Sequence, residues 1–501
     1  MRITNKMMTN NMMGNINKNK LNMNDLEAQY SSGKKIQRPS DDPIVTVRAL
    51  KLRTNLSEIS QYYDKNIPDA QSWMETTEGA LKNINDILGK VNTYCVQGST
   101  DTLTAKERSS IAENLQQMKH QINQEGDTNY AGRYVFTGYK TDSSLIFTEP
   151  VNNLTYNITQ NFTGSQIQTV NKVNGSYEVK DFDDAGKNFS EAPTMDQTYR
   201  LKLAYDGLST TAPTEIKYYK KDAAGNLIEQ TPILSSQIEQ ISATAEDAYT
   251  PEAGKVHYIA ETGELILSKE VYEELRTADN MELQYSKTGF QEGDLKPEHY
   301  FTCTMTDSKK SEQEPITYTK SEEGQQIQYE VNYNQKLTVN TEGHDVITHD
   351  IGNTINDILN AVNDVTATED KISEVEKRLA DTSLSKDDVA RYTKMKEQLG
   401  TELQLKKEVM QKAFTYGNYI SKSAQDKVNA ATADLGSREV RLELTENRMS
   451  SQKTDFTDLL STNEDVDQVE TYIKLGSAQN IYNASLSAVG KMVKSSLLDF
   501  L

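Results

Sequence analysis

Acid–base chemistry in this chain would have to start from Asp41 and Asp42, adjacent carboxylates in the stretch YSSGKKIQRPSDDP at residues 30–43. Metal chemistry would have to start from five histidines, His120, His257, His299, His344 and His349, or from two cysteines, Cys95 and Cys303. Neither set has the spacing that its chemistry needs. Two carboxylates directly before Pro43 suit a helix cap and the positive end of a helix dipole better than a proton-transfer pair. The histidines form no HExxH motif, and His344 and His349 stand apart from any cysteine. The cysteines form no CxxC, so neither a zinc site nor a disulfide framework is expected. There is no Walker loop, no GxSxG and no GxGxxG in a βαβ setting. The expectation is a chain that is not an enzyme and has no cofactor or metal.

The break at 30–43 must therefore be read from what flanks it. At 501 residues the chain has room for two to four domains, with 36% hydrophobic residues, one tryptophan and a net charge of -20. That charge argues against nucleic acid as a partner, because phosphate binding needs concentrated positive charge. The charge is unevenly spread. Residues 1–53 hold ten Lys or Arg against four Asp or Glu, and residues 471–501 hold three against one, so the middle carries the acidity. No stretch reaches ~20 consecutive apolar residues, so no membrane span is expected. MRITNKMMTNNMMGN has no continuous apolar h-region and does not read as a Sec-type signal peptide.

Both flanks of the break are helical by pattern. Met8, Met12, Ile16, Asn19, Met23, Leu26 and Tyr30 follow at spacings of four or three and share one stripe. Gly33 suits a C-cap, Asp42 an N-cap and Pro43 the first helical position. Pro39, Ser40 and Asp41 complete the elbow. Beyond it, Ile67, Ala70, Met74, Thr77, Leu81, Ile84, Leu88, Val91 and Cys95 alternate three and four without a slip, which is a coiled-coil seam. Pro68 is expected to kink or restart the helix that runs from Pro43. A shorter helix after QGSTDTLT carries Ile111, Leu115, Met118 and Ile122.

From about Gly132 the period changes to two. YVFTGY, LTYNITQNFT, SYEVKDF, TYRLKLAY, EIKYYKK, KVHYIAETGELILS, ITYTK and IQYEVNYNQKLTVNTEG read as strands, with a helical patch at SKEVYEELR. The heptad then returns at Ile351, Ile355, Ile358, Val362, Val365, Ile372 and Leu379, with Glu369 and Glu376 as exceptions. Ser385, with Asp388 as capping-box partner, opens a further helix. Leu435, Leu442, Met449 and Phe456 lie seven apart there, with Val428 ahead of them. Leu459, Val466 and Ile473 sit on a companion row. The last segment carries Leu475, Gln479, Tyr482, Leu486, Val489, Val493, Ser496 and Phe500 on one stripe, and Ile481, Ala488 and Met492 on a second, with Leu497 beside them.

The fold class expected is α+β and elongated, with an N- and C-terminal α-helical coiled-coil bundle and a mainly β central insert of one or two domains. The divisions expected are an assembly helix and elbow at 1–42, bundle at 43–139, β-rich insert at 140–345, bundle at 346–470 and a C-terminal assembly helix at 471–501. An isolated helix buries almost none of its apolar stripe, so both ends are expected to be frayed in the monomer and to fold when partners cover them. Contacts repeated from copy to copy give rings or helical arrays. The terminal stripes are the expected assembly interface, and Lys34, Lys35 and Arg38 are expected to form salt bridges between subunits.

SSGKKIQRPSDDP at 31–43 resembles the elbow of the flagellin-like hook–filament junction proteins, and GRYVFTGYKTD at 132–142 resembles a further segment of that family. NQKLTVNTEGHDV at 334–346, ADLGSREVRLELTENRMS at 433–450 and the ending SAQNIYNASLSAVGKMVKSSLLDFL are similar to it as well. The resemblance frames the insert and leaves the middle unexplained. It implies an extracellular structural subunit of the bacterial flagellum, exported unfolded through the flagellar type III channel. There it would adapt hook to filament. The partners implied are other copies of the chain, a hook-side junction protein, flagellin and an export chaperone. Flagellin shares the helical ends, although its elbow usually lacks PSDDP. A filament subunit is the first alternative, and a scaffold carrying a ligand-binding β insert is the second.

Overall fold

A computed structural model describes residues 5–498 except 101–102, 179–180, 182, 185–186, 188, 223–224, 246, 311–313 and 322–323, and describes the side chains of residues 6–491 within that range. Helices open the chain: α1 Asn5–Ser32, α2 Pro43–Gln61, α3 Ile67–Gly98 and α4 Ala105–Glu125. A β-rich region follows. It runs through β1 Asn129–Tyr130, β2 Arg133–Tyr134, β3 Val151–Phe162, β4 Gln168–Asn174, β5 Thr194–Lys202, β6 Glu215–Lys221, β7 Leu227–Glu229 and β8 Ile233–Leu234. It continues with β9 Ile238–Gln240, β10 Val256–Ile259, β11 Glu264–Leu267, α5 Lys269–Leu275, β12 Asn280–Phe290, β13 Thr302–Asp307, β14 Ile316–Tyr318, β15 Gln328–Asn332 and β16 Gln335–Thr338. Helices close the chain: α6 Gly343–Val346, α7 His349–Leu379, α8 Lys386–Glu464 and α9 Gln468–Leu498. The class is α+β, with helices at both ends and strands between.

The chain divides into two compact units. One gathers residues 1–70, 329–337 and 440–501, and the other residues 71–328 and 338–439.

In the second unit the seam residues of α3 from Met74 to Cys95 are buried. Cross-helix contacts bind α3 to α8: the amide of Asn92 donates to Ser421 Oγ, and that of Gln425 to the Asn85 carbonyl. On α7 the seam residues Ile351, Ile355, Ile358, Val362 and Val365 are buried as well. Where the sequence placed Glu369 and Glu376, the helix turns Thr368 and Val375 inward instead. The inward row falls one position earlier because of what α7 meets there: Lys406 of α8 donates to Thr368 Oγ1 at 3.0 Å, and Val375 packs with Tyr392, Met395 and Leu399 of α8. Thr104 caps α4 and shares a capping box with Glu107. Ser385 and Asp388 bond each other where α8 begins.

The strands of this unit form a seven-stranded sheet, ordered β14-β13-β3-β12-β6-β7 with β8 also pairing β6, and a five-stranded sheet ordered β4-β5-β11-β10-β9. Tyr156, Ile158, Met281, Leu283 and Tyr285 from the first share one core with Leu201, Val256, Tyr258, Leu265 and Leu267 from the second. Alternate residues supply that core, as period-two strands require. β12 and β13, which the sequence reading passed over, pair β3 on either side. NMELQYSKTGF alternates Met281, Leu283 and Tyr285 with the polar Glu282 and Gln284, a period-two signal that the sequence reading did not pick out. YVFTGY is a buried turn rather than a strand beyond Tyr134. Val135 and Phe136 are sealed there, and the Phe136 carbonyl accepts from the Gly343 amide. SYEVKDF forms no strand among its described residues.

In the first unit, α2 passes into a π-helical turn at Tyr62–Asn66, where the Ile67 amide donates to the Tyr62 carbonyl, and α3 then begins. The backbone stays in the right-handed helical region through Gln61, Tyr62 and Ile67, so the helix does not restart at Pro68; the π-helical turn just before it is where the ladder changes register around the missing amide. The β15–β16 hairpin is clamped to neighbouring helices. Asn66 donates to the Glu330 carbonyl, Tyr329 to Asp69, and Arg448 to Gln335.

Candidate functional site

The elbow and the two terminal helices lie in the first unit. α1 ends at Gly33, whose φ of +70° is the left-handed conformation that glycine adopts without a Cβ penalty, and its amide donates to the Gln29 carbonyl. In the turn that follows, Asp41 accepts from the amides of Gln37 and Arg38, and these two bonds hold its carboxyl below the usual range. Asp42 accepts from the amides of Ile44 and Val45 at 3.0 and 3.1 Å, with Pro43 at the first helical position. The two carboxylates therefore have separate structural tasks. One closes the turn and the other caps α2. Pro39 and Ser40 are exposed at its tip.

The elbow is locked to the break between α8 and α9. Lys34 and Asp465 form an antiparallel bridge, with the Lys35 amide donating to the Glu464 carbonyl and the Val466 amide to the Gly33 carbonyl. The Lys34 ammonium pairs with both Asp465 and Glu464. Arg53 reaches Glu464 at 2.7 Å, and the Glu464 side chain is nearly sealed from solvent. The hydrogen bond from Lys34 holds the Asp465 carboxyl below its ordinary range, and Asp465 raises the Lys34 ammonium in turn. Lys34 was expected to bridge between subunits, but here its partners lie in the same chain. Two polypeptide breaks over 400 residues apart in sequence need their backbone groups satisfied, and each supplies the other's partners.

From this lock α1 and α9 run antiparallel. Tyr30 meets Tyr472 with ring centroids 5.7 Å apart, and the Asn19 amide donates to Ser485 Oγ at 3.2 Å. Over their described residues both terminal segments are helices, α1 and α9, and each covers part of the other's stripe on one side. Of the expected interface, Ile16 is buried, Met12, Met23, Leu26, Tyr482 and Val489 are half-buried, and Met8, Tyr30, Ile481 and Leu486 are exposed. The inward face of α9 is Thr471, Leu475, Ala478, Tyr482, Ser485 and Val489. Ala478 and Ser485 thus stand where Gln479 and Leu486 were expected. Small residues allow the helices a close approach, and the larger neighbours are left outside. The side chains of Met492, Val493 and Leu497, and all of Phe500, lie outside the described residues.

Among the bundle positions, Ile67, Met74, Leu81, Ile84, Leu88, Val91, Leu435, Leu442 and Met449 are buried and Phe456 is half-buried. On the companion row Leu459 and Ile473 are exposed.

The histidines are dispersed. His257 bonds the Ala248 carbonyl, His299 the Ser144 carbonyl, and His344 lies beside Glu342 and Asp345. Burial pushes His299 down to about 4. His349 packs among the rings of Tyr205, Tyr300 and Phe301, and burial pushes it down to about 3. Cys95 and Cys303 are free and buried. No group of three or more metal-ligating side chains is gathered among the described residues.

Sequence reading missed a charge quartet in the second unit, with Arg200 and Glu264 buried and Lys202 and Asp357 half-buried. Arg200 on β5 pairs with Glu264 on β11 and with Asp357 on α7, each at 2.7 Å, and Lys202 joins the same two carboxylates. Burial alone would push the Glu264 carboxyl up, but Lys202 and Arg200 bring it down to about 2. In TYRLKLAY the alternation of Arg200 and Lys202 reads as a solvent face. Only α7 makes it an interior one.

Comparison with known proteins bears on the helical ends. Residues 3–141 match the bacterial flagellin N-terminal helical region. Flagellar hook-associated protein 3 of Salmonella typhimurium is 31% identical over 145 residues, covering 29% of this chain and 45% of that protein. A flagellin of Clostridium tyrobutyricum is 33% identical over 128 residues, covering 26% of this chain and 34% of that one. The matches thus span less than half the length of these relatives. The solved hook-associated protein-3 of Legionella pneumophila is 12% identical, with a TM-score of 0.29, over 82% of this chain and 97% of that one. The resemblance to flagellin-like junction proteins read from the elbow is thus met by an independent match that spans the elbow, α2, α3 and α4.

Proposed function

We propose that this chain is a structural, non-enzymatic subunit of the bacterial flagellum, the adaptor at the hook–filament junction on which flagellin polymerises. The observation that carries this reading is the closure of the chain's two ends on each other. A flagellin-type N-terminal helical region folds back so that its elbow is locked to residues 464–466 and α1 lies along α9. Such a pair presents helical ends with apolar faces still uncovered, and a subunit in an array needs those. The functional division proposed is an assembly helix and elbow at 1–42, a C-terminal assembly helix at 471–501, bundle at 43–139 and 346–470, and an insert at 140–345. The assembly residues proposed are those of the α1 and α9 stripes together with the elbow from Gly33 to Pro43.

The partners proposed are copies of itself, a hook-side junction protein, flagellin and an export chaperone that covers the C-terminal helix. Export would run through the flagellar type III channel, with the mature subunit outside the cell. Buried free cysteines suit a chain that must cross unfolded and fold without oxidation. A filament subunit is the second reading, favoured by the match to a Clostridium flagellin.

Deletion of the gene in its motile host tests the two. Hooks without filaments, with flagellin shed into the medium, are expected. Filaments of normal length on the deletion strain would refute the junction reading, and loss of the filament protein itself would favour the second.

A further inference from the structure

Two stripes in the first unit remain uncovered. On α2, Ile44, Val47 and Leu50 are exposed, Ile44 at 76%, and Arg48 and Lys51 stand among them, exposed and with no ion-pair partner among the described residues. On the far part of α8, Ser451, Asp455, Asp458 and Leu459 fall on one row at helical spacing. Leu459 is 54% exposed, and Asp455 and Asp458 are exposed and, among the described residues, have no ion-pair partner. Both helices use their other faces within the chain. Ala49 and Ile59 of α2 are buried, and the amide of Asn463 donates to the Val45 carbonyl.

We infer that the basic-apolar stripe of α2 seats on the acidic-apolar stripe of α8 in a second copy of this chain. The charges decide the mode of contact. Either stripe against its own copy would oppose like charges, so a two-fold dimer is disfavoured. Pairing α2 of one copy with α8 of the next matches cation to carboxylate and leucine or isoleucine to leucine. That contact uses different surfaces on the two partners and leaves one of each free, so it propagates. This rests on the assembly reading above and adds to it a surface outside the terminal helix pair.

The test is a charge swap in the full-length chain. Arg48→Glu with Lys51→Glu forms one variant, Asp455→Lys with Asp458→Lys a second, and all four changes a third. Each position is exposed and none is paired among the described residues, so far-UV circular dichroism should match the native chain in all three. Self-association is read by sedimentation at low ionic strength. In the host lacking its own copy, retention of each variant in the hook fraction is read as well. Each double variant is expected to weaken association by about tenfold, and the fourfold variant to recover it. Equal association by all chains, failure of the fourfold variant to recover, a discrete dimer that does not grow, or a native chain monomeric in both settings would each overturn the contact. Absence of every chain from the hook fraction, with self-association still responding to the swap, would sink the junction reading and leave this contact standing.

Discussion

His349 shows at the residue scale how burial turns into pH dependence. Its imidazole sits among three aromatic rings with Nε2 sealed and unbonded, and its pKa falls to about 3 from an ordinary 6.5. A histidine depressed on folding favours the native state above the unfolded pKa, and that contribution is lost as pH falls from about 6.5 toward 3. Glu264, brought down to about 2, acts in the same direction between about 4.5 and 2. Acid should therefore unfold the second unit progressively below pH 6.5. Thermal melts from pH 7 to 4 should show a falling midpoint, and His349→Phe should flatten the slope between pH 6.5 and 4.5, where the native histidine accounts for about 2–3 kcal/mol. An unchanged slope would refute the assignment. At the same scale, Arg200→Met should cost about 3–5 kcal/mol, because it leaves Glu264 buried with one cation fewer; urea denaturation measures it.

For the elements, the elbow and the close helix crossings carry the testable content. Gly33→Ala places a Cβ on a residue at φ +70°, with only the Gln468 amide nitrogen within 4 Å, so its cost is conformational and should be about 1 kcal/mol. Gly98 is a different case. A Cβ there would stand 2.3 Å from the ring of Phe414, itself sealed in the core, and Gly98→Ala should cost about 1–3 kcal/mol by forcing that ring aside. Denaturation midpoints of the two variants distinguish conformational strain from overpacking, since Phe414→Leu should relieve only the second. The sequence marks Gly33 as a helix end and puts Gly98 in the break that follows the seam, and Gly33 also lends its carbonyl to the Val466 amide. That Gly98 also faces a partner helix is invisible from its own segment.

The molecule as a whole depends on its ends. α1 has a weak apolar stripe, in which methionine fills three of seven positions and the polar Asn19 interrupts it, and an isolated helix of its kind is marginal in water. Removal of residues 471–501 should therefore cost more helix than the deleted residues contain, because α1 loses the surface that covers Ile16. Far-UV circular dichroism of the truncated chain should show a loss of about twice the deleted segment. A loss equal to the segment alone would mean that α1 stands without α9.

Periodicity by itself determined which segments are helices, where the seam from Ile67 to Cys95 lies, and that strands fill the middle, because period 3.5 and period 2 are local properties of side-chain placement. The elbow chemistry was local too: an aspartate before a proline caps a helix wherever it occurs. Tertiary structure decided what a local pattern leaves open. It chose Thr368 over Glu369 and Ala478 over Gln479 by the neighbour each helix meets. It turned Arg200 and Lys202 from a solvent face into an interior one by laying α7 across them. It joined Lys34 to Asp465, whose attraction depends on their distance in space, and nothing in either segment encodes the other's position.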